Sequence, residues 1–179
     1  MSVTSVPGQV RLLFVQEWLA CTLRTYPDQT GRFLRVERDP FRNPVGSTFR
    51  AAFEQLADEL FGGFDRARVA ASIDAVVRVR AVQDFTPAEA VAFVPLARDA
   101  VRAALRRGGV HLDAQGLDQL DERIAELAGL ASESLGACRD EIRAIAARAA
   151  RRRVFVPERL RARAASRATP SSPPRGNPV

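Results

Sequence analysis

Arg78, Arg80, Gln83 and Asp84 crowd into seven positions at the end of an otherwise apolar stretch of this 179-residue chain, a combination of types able to hold an anion. Arginine presents a rigid fork of donors. Arg80 and Asp84 stand four apart, the spacing at which side chains on one helical face form an ion pair. Two chemistries fit: a site for an anionic signal molecule, or a polar network tying this helix end to the loop Asp39-Pro40-Phe41-Arg42-Asn43. The network is the simpler, because buried polar groups need partners whether or not a ligand exists.

Nothing catalytic accompanies them. His111, the only histidine, follows the helix-breaking pair Gly108-Gly109. No preceding helical turn would hold its imidazole over an iron, and no second histidine supports a metal site. Cys21 and Cys138 are too few for a disulfide framework and lack metal-type spacing. Cys138 reads as a small buried apolar residue rather than a redox sensor. No nucleophile has a base near it in the pattern. The sequence therefore predicts a non-enzyme without a cofactor, in a reducing cytoplasm.

The net charge of +6 is unevenly placed. Residues 139–179 hold eleven arginines against Asp140, Glu141 and Glu158, which leaves the preceding chain slightly acidic, and no lysine occurs anywhere. Arg148, Arg151, Arg152, Arg153, Arg159, Arg161, Arg163 and Arg167 offer the alternative function, binding of nucleic acid or an anionic membrane through phosphates. Arg151, Arg152 and Arg153 are its densest part. Against it, no groove-reading motif is present, and Phe155 is the one aromatic among them.

The elements that must position these residues all read as helices. A first helix spans Gly8 to Tyr26 with Val10, Leu13, Phe14, Trp18 and Cys21 inward. Pro27 and Asp28 stop it and offer a cap, and a short helix from Thr30 to Glu37 exposes Arg32 and Arg35, with Arg38 just beyond. After the breaker-rich loop, Asn43 caps and Pro44 opens a core helix to Phe61, carrying Val45, Phe49, Ala52, Phe53, Leu56 and Leu60. Gly62-Gly63 ends it and Asp65 caps the next, which leads to Arg78. Thr86, Pro87 and Glu89 then spell a capping box, with Phe85 placed for a hydrophobic staple. Pro95, inside the helix that follows, predicts a bend, and Gly108-Gly109 closes it.

Leu117, Ile124, Ala131, Cys138 and Ile145 recur every seven residues, joined by Leu120, Leu127, Leu135, Ile142 and Ala149. This coiled-coil-like seam either closes the core with its first half or pairs its second half with a partner helix, as a dimer seam would. A helix from Gly116 to Arg153 breaks near Gly129 or Gly136 or projects from the domain. Beyond Pro157 the composition is that of a disordered tail. The expectation is an all-α chain: a flexible start over 1–8, one bundle of about six helices with a long C-terminal helix over 9–156, and an Arg- and Pro/Ser-rich tail over 157–179.

Three pieces, Thr25-Tyr26-Pro27, Asp39 to Gly46 and Arg78 to Pro87, occur in an order that resembles the amino-terminal sensor domain of the RsbR/RsbRD family of RsbT co-antagonists. The resemblance covers about Val10 to Phe155. It implies a globin-like fold, generally without haem, a homodimer, and a partner that is a STAS-domain protein, a kinase or an enzyme. The family pattern places a STAS domain or kinase after the last helix, and this sequence has no room for one. The implied role is a stand-alone sensory or adaptor domain that acts through another protein.

Overall fold

The computed structural model describes residues 1–83 and 85–167, with side chains described to residue 151 apart from Asp84. Every regular element among them is helical, so the chain is all-α. A single 3₁₀ turn, Val3–Ser5, precedes α1 (Gly8–Leu23), α2 (Asp28–Val36), α3 (Pro44–Leu60), α4 (Arg66–Ala81), α5 (Pro87–Val91), α6 (Phe93–Gly108) and α7 (Ala114–Arg167).

The local signals act where the sequence places them. Asn43 caps α3 by accepting from the Gly46 amide at 2.8 Å, Asp65 caps α4 through the amides of Ala67 and Arg68, and Thr86 with Glu89 forms a reciprocal capping box on α5. Asn43 is buried and uses its other end too, donating to the carbonyls of Leu34 and Glu37 and so tying the end of α2 to the start of α3. Gly46 is required beside it, since a Cβ there would stand 2.7 Å from the Leu34 carbonyl oxygen. Gly109 ends α6 in the left-handed region at φ 63°, which glycine adopts without strain.

The bend expected at Pro95 is a full break between α5 and α6, with Ala92 between them. Pro95 has no N–H to offer the Val91 carbonyl four residues back, so the helix parts there.

Two units divide the chain, Met1–Arg139 and Asp140–Val179. In the first, the interior is built on aromatics: the Trp18 ring stacks on Phe53 with centroids 4.2 Å apart, and Phe14 and Phe93 stack on Trp18 in turn. The indole N–H donates to the Phe93 carbonyl at 2.6 Å. Trp18 is thus core, as the pattern predicts, while Leu13 and Cys21 are only half-buried and Val15, Thr22 and Leu23 take places on the inner face.

The first-unit part of α7 closes this core with Leu120, Ile124, Leu127, Leu130, Ala131 and Leu135. It is fastened to α6 by Arg98–Asp121 and to α4 by Arg66–Glu126 and by Ser134, whose hydroxyl donates to Asp74 at 2.8 Å. Arg123 reaches the last carbonyls of α3, on Leu60 at 2.5 Å and on Glu59. A cation there suits the negative end of the helix. The helix runs through Gly129 and Gly136 without a break. In the second unit, the described side chains from Glu141 to Arg151 are all exposed, and Arg143 pairs with Asp140 one turn back.

Candidate functional site

Arg78 and Arg80 take different surroundings when the helix forms. Arg78 faces outward to Asp74, four residues earlier, at 2.6 Å. Gln83 is half-buried, and Asp84 lies outside the described residues. Arg80 is fully buried.

Around Arg80 the structure assembles a box from two distant turns. Its guanidinium lies 4.1 Å from the Phe85 ring centroid and 5.1 Å from that of Tyr26. Nε donates to the Ala90 carbonyl at 3.1 Å, and one terminal nitrogen donates to the Glu89 carbonyl at 2.8 Å and to the Thr25 hydroxyl at 3.1 Å. The Tyr26 hydroxyl donates to Gln83 Oε1. The other terminal nitrogen of Arg80 is buried with no hydrogen-bond partner among the described residues.

The break at Pro95 explains the pattern. Glu89 and Ala90 stand in the last turn of α5, and the Glu89 carbonyl already accepts from the Ala92 amide at 3.1 Å. Arg80 adds one donor to each of these carbonyls and a positive charge at the helix's negative end. Cation–π contact with two rings offsets part of the cost of taking the charge out of water. Burial still pulls the Arg80 guanidinium below its ordinary range, with the Tyr26 phenol and the Glu89 carboxylate opposing that shift. Burial likewise pushes the Tyr26 phenol up, against the lowering effect of Arg80. In the capping box, hydrogen bonds from Thr86 hold the Glu89 carboxyl below its ordinary value.

The network reading therefore needs one correction. Among the described residues, Arg80 and Gln83 are tied to the α1–α2 turn at Thr25 and Tyr26, and the Asp39–Asn43 loop fastens α2 to α3 through Asn43. Phe85, too, lies against the Arg80 guanidinium and packs edge-on against Tyr26 at 5.0 Å.

The seven-residue series splits as well. Ile124, Ala131 and Cys138 are buried within the chain itself, Leu117 is 45% exposed and Ile145 is 58% exposed. Arg151 is exposed, and the side chains of Arg152 and Arg153 lie outside those described. His111 is exposed in the α6–α7 linker. Among the described residues, no three His, Cys, Asp or Glu side chains gather as a metal ion requires.

Sequence reasoning passed over two residues. Tyr26 carries both a ring and a hydroxyl into the Arg80 box, and its place beside a helix-ending proline was the available signal. Glu59 is a buried carboxylate, held by Arg68 at 3.2 Å and by the Asp65 amide at 2.8 Å. An acid on an otherwise apolar face was its mark.

The three sequence pieces thus act in pairs of contacts: Thr25-Tyr26-Pro27 meets Arg78 to Pro87 at Arg80, and Asp39 to Gly46 locks α2 to α3. No curated protein and no solved structure matches the chain. The family model described as the RsbT co-antagonist protein rsbRD N-terminal domain matches residues 14–153, and the chain belongs to that family.

Proposed function

We propose that this chain is a cytoplasmic, non-enzymatic sensory or adaptor domain of stress or other signalling regulation, globin-like in fold. It forms a homodimer and passes its signal to a protein partner, a STAS-domain protein, a kinase or an enzyme. The observation carrying this reading is the course of α7. Leu127 and Ala131 are sealed in the core, and the same helix continues to Ile142 and Ile145, exposed in the apolar register of the series. A rigid helix anchored in a core converts a small repacking there into a shift at its far end. Exposed apolar residues at coiled-coil spacing are what a second helix covers. No described helix is long and apolar enough to cross a membrane.

Sedimentation equilibrium of the purified chain, with nuclease-treated affinity capture of the tagged protein from its native cell, tests the reading. A dimer that retains one partner in stoichiometric amount supports it. A monomer that comes back alone once nucleic acid is digested overturns it.

A further inference from the structure

The exposed side of α2 is not accounted for by anything the fold requires. Leu34 and Gly31 turn inward and hold the helix to the core, yet Phe33 is 48% exposed, Val36 70%, and Phe41 in the following loop 96%. An open groove of about 810 Å³ runs along this side, with Phe33 and Val36 beside Asp28, Arg32, Glu37 and Arg42 in its walls. Large apolar groups gathered on one exposed segment mark an interaction site more often than scattered ones do.

The charges around it are also unequal. Glu37 is occupied by Arg42 at 3.5 Å, and Asp39 accepts from the Phe41 amide of its own loop at 2.9 Å. Asp28 sits in the first turn of α2, where a carboxylate complements the helix end. Arg32, Arg35 and Arg38 are exposed and make no ion pair among the described residues. The charge left over is positive.

We propose that the outer face of α2, with Phe41, docks a protein partner through an acidic amphipathic helix, whose apolar side chains enter the groove at Phe33 and Val36 and whose carboxylates meet Arg32, Arg35 and Arg38. This rests on the adaptor reading and names the surface it uses. The mode is that of an amphipathic helix laid in a groove, with charge setting the choice of partner.

The test uses the full chain and two labelled peptides, one of alternating leucine and glutamate turns and one with lysine for glutamate, followed by fluorescence anisotropy. The arginine-rich second unit attracts any acidic peptide, so the decisive comparison holds charge constant. The double variant Phe33→Ser, Val36→Ser should weaken acidic-peptide binding at least tenfold. Leu12→Ser, which alters an apolar side chain exposed on α1, should leave it unchanged. Thermal melts confirm that both variants fold.

Equal binding by wild type and double variant, or no binding by wild type, overturns the proposal. So does a dimer that dissociates on the double substitution, which would make the occupant a second copy. Phosphatidylglycerol vesicles that bind wild type and release the double variant overturn it in favour of a membrane. The adaptor reading fails separately, when wild type captures no partner although the peptide still binds α2.

Discussion

Tyr26 and Gln83, 57 positions apart, meet through one hydrogen bond of 2.8 Å in which the phenol donates to the amide oxygen. The bond closes the Arg80 box on its outer side and joins the α1–α2 turn to the end of α4. Tyr26→Phe should cost about 1 kcal/mol, the usual worth of a partly buried hydrogen bond. Gln83→Leu should cost a similar amount, and the double variant little more than either alone. Urea denaturation of the cycle measures the coupling, and strict additivity would show that the bond contributes nothing.

The same phenol makes an alkaline prediction. Burial raises Tyr26 above its ordinary 10.0, so the folded chain keeps the proton where the unfolded chain releases it. The stability from this group is intact below pH 10 and declines as pH rises past the unfolded value toward the folded one. Tyr26→Phe should flatten that decline. Since Tyr26 is the only tyrosine, phenolate absorbance follows it directly, and a midpoint at or below 10 in the folded protein contradicts the burial argument.

Arg80 should be more sensitive to loss of shape than to loss of charge. Arg80→Ala removes three hydrogen bonds and leaves a void between two rings, a change that should cost about 3 to 5 kcal/mol. Arg80→Met fills the space and removes the desolvated cation, so it should cost less than half as much. Arg80→Lys should be worse than methionine, because it keeps a buried charge but cannot fork toward both the Ala90 and Glu89 carbonyls. Denaturant midpoints at unchanged slope give the order, and lysine as the mildest of the three would contradict it.

How much of this was legible beforehand follows the range of each interaction. The caps at Asn43, Asp65 and Thr86 and a distortion at Pro95 involve neighbours within four residues, so residue type and spacing were enough, though the bend expected at Pro95 is a full break. Two of the partners of Arg80, Thr25 and Tyr26, lie more than fifty positions away, and no periodicity points to them. Periodicity also says which residues share a face, not what covers that face. Ala131 and Ile145 hold the same place in the seven-residue series, and one is sealed while the other is exposed. Phe33 and Val36 show the converse: they are apolar yet exposed, because Leu34 and Gly31 take the inward positions of the short helix.

The capping box of α5 predicts a change at the acid end. Hydrogen bonds from the Thr86 hydroxyl and amide depress the Glu89 carboxyl below its ordinary 4.5. A depressed carboxyl contributes stability that is complete above 4.5 and lost as pH falls through the lower folded value. Wild type should therefore exceed Glu89→Gln in melting temperature at neutral pH, and the gap should close on acidification. A gap that is constant with pH would assign the effect to side-chain shape rather than charge.

Ala131 and Ile145 separate folding from assembly on one helix. Ala131→Glu places a carboxylate in the core against Leu127 and its neighbours, with no cation provided for it, and should unfold the first unit rather than merely split a dimer. Ile145→Glu adds a charge to a side chain already exposed, so a far-ultraviolet melt should match wild type. If Ile142 and Ile145 form the seam with a second copy, sedimentation equilibrium should show Ile145→Glu as a folded monomer, because a glutamate facing its own symmetry mate brings like charges together at the contact. A variant that stays dimeric removes this part of α7 from the interface. Its own exposed stripe would then be free to carry the signal to a different helix.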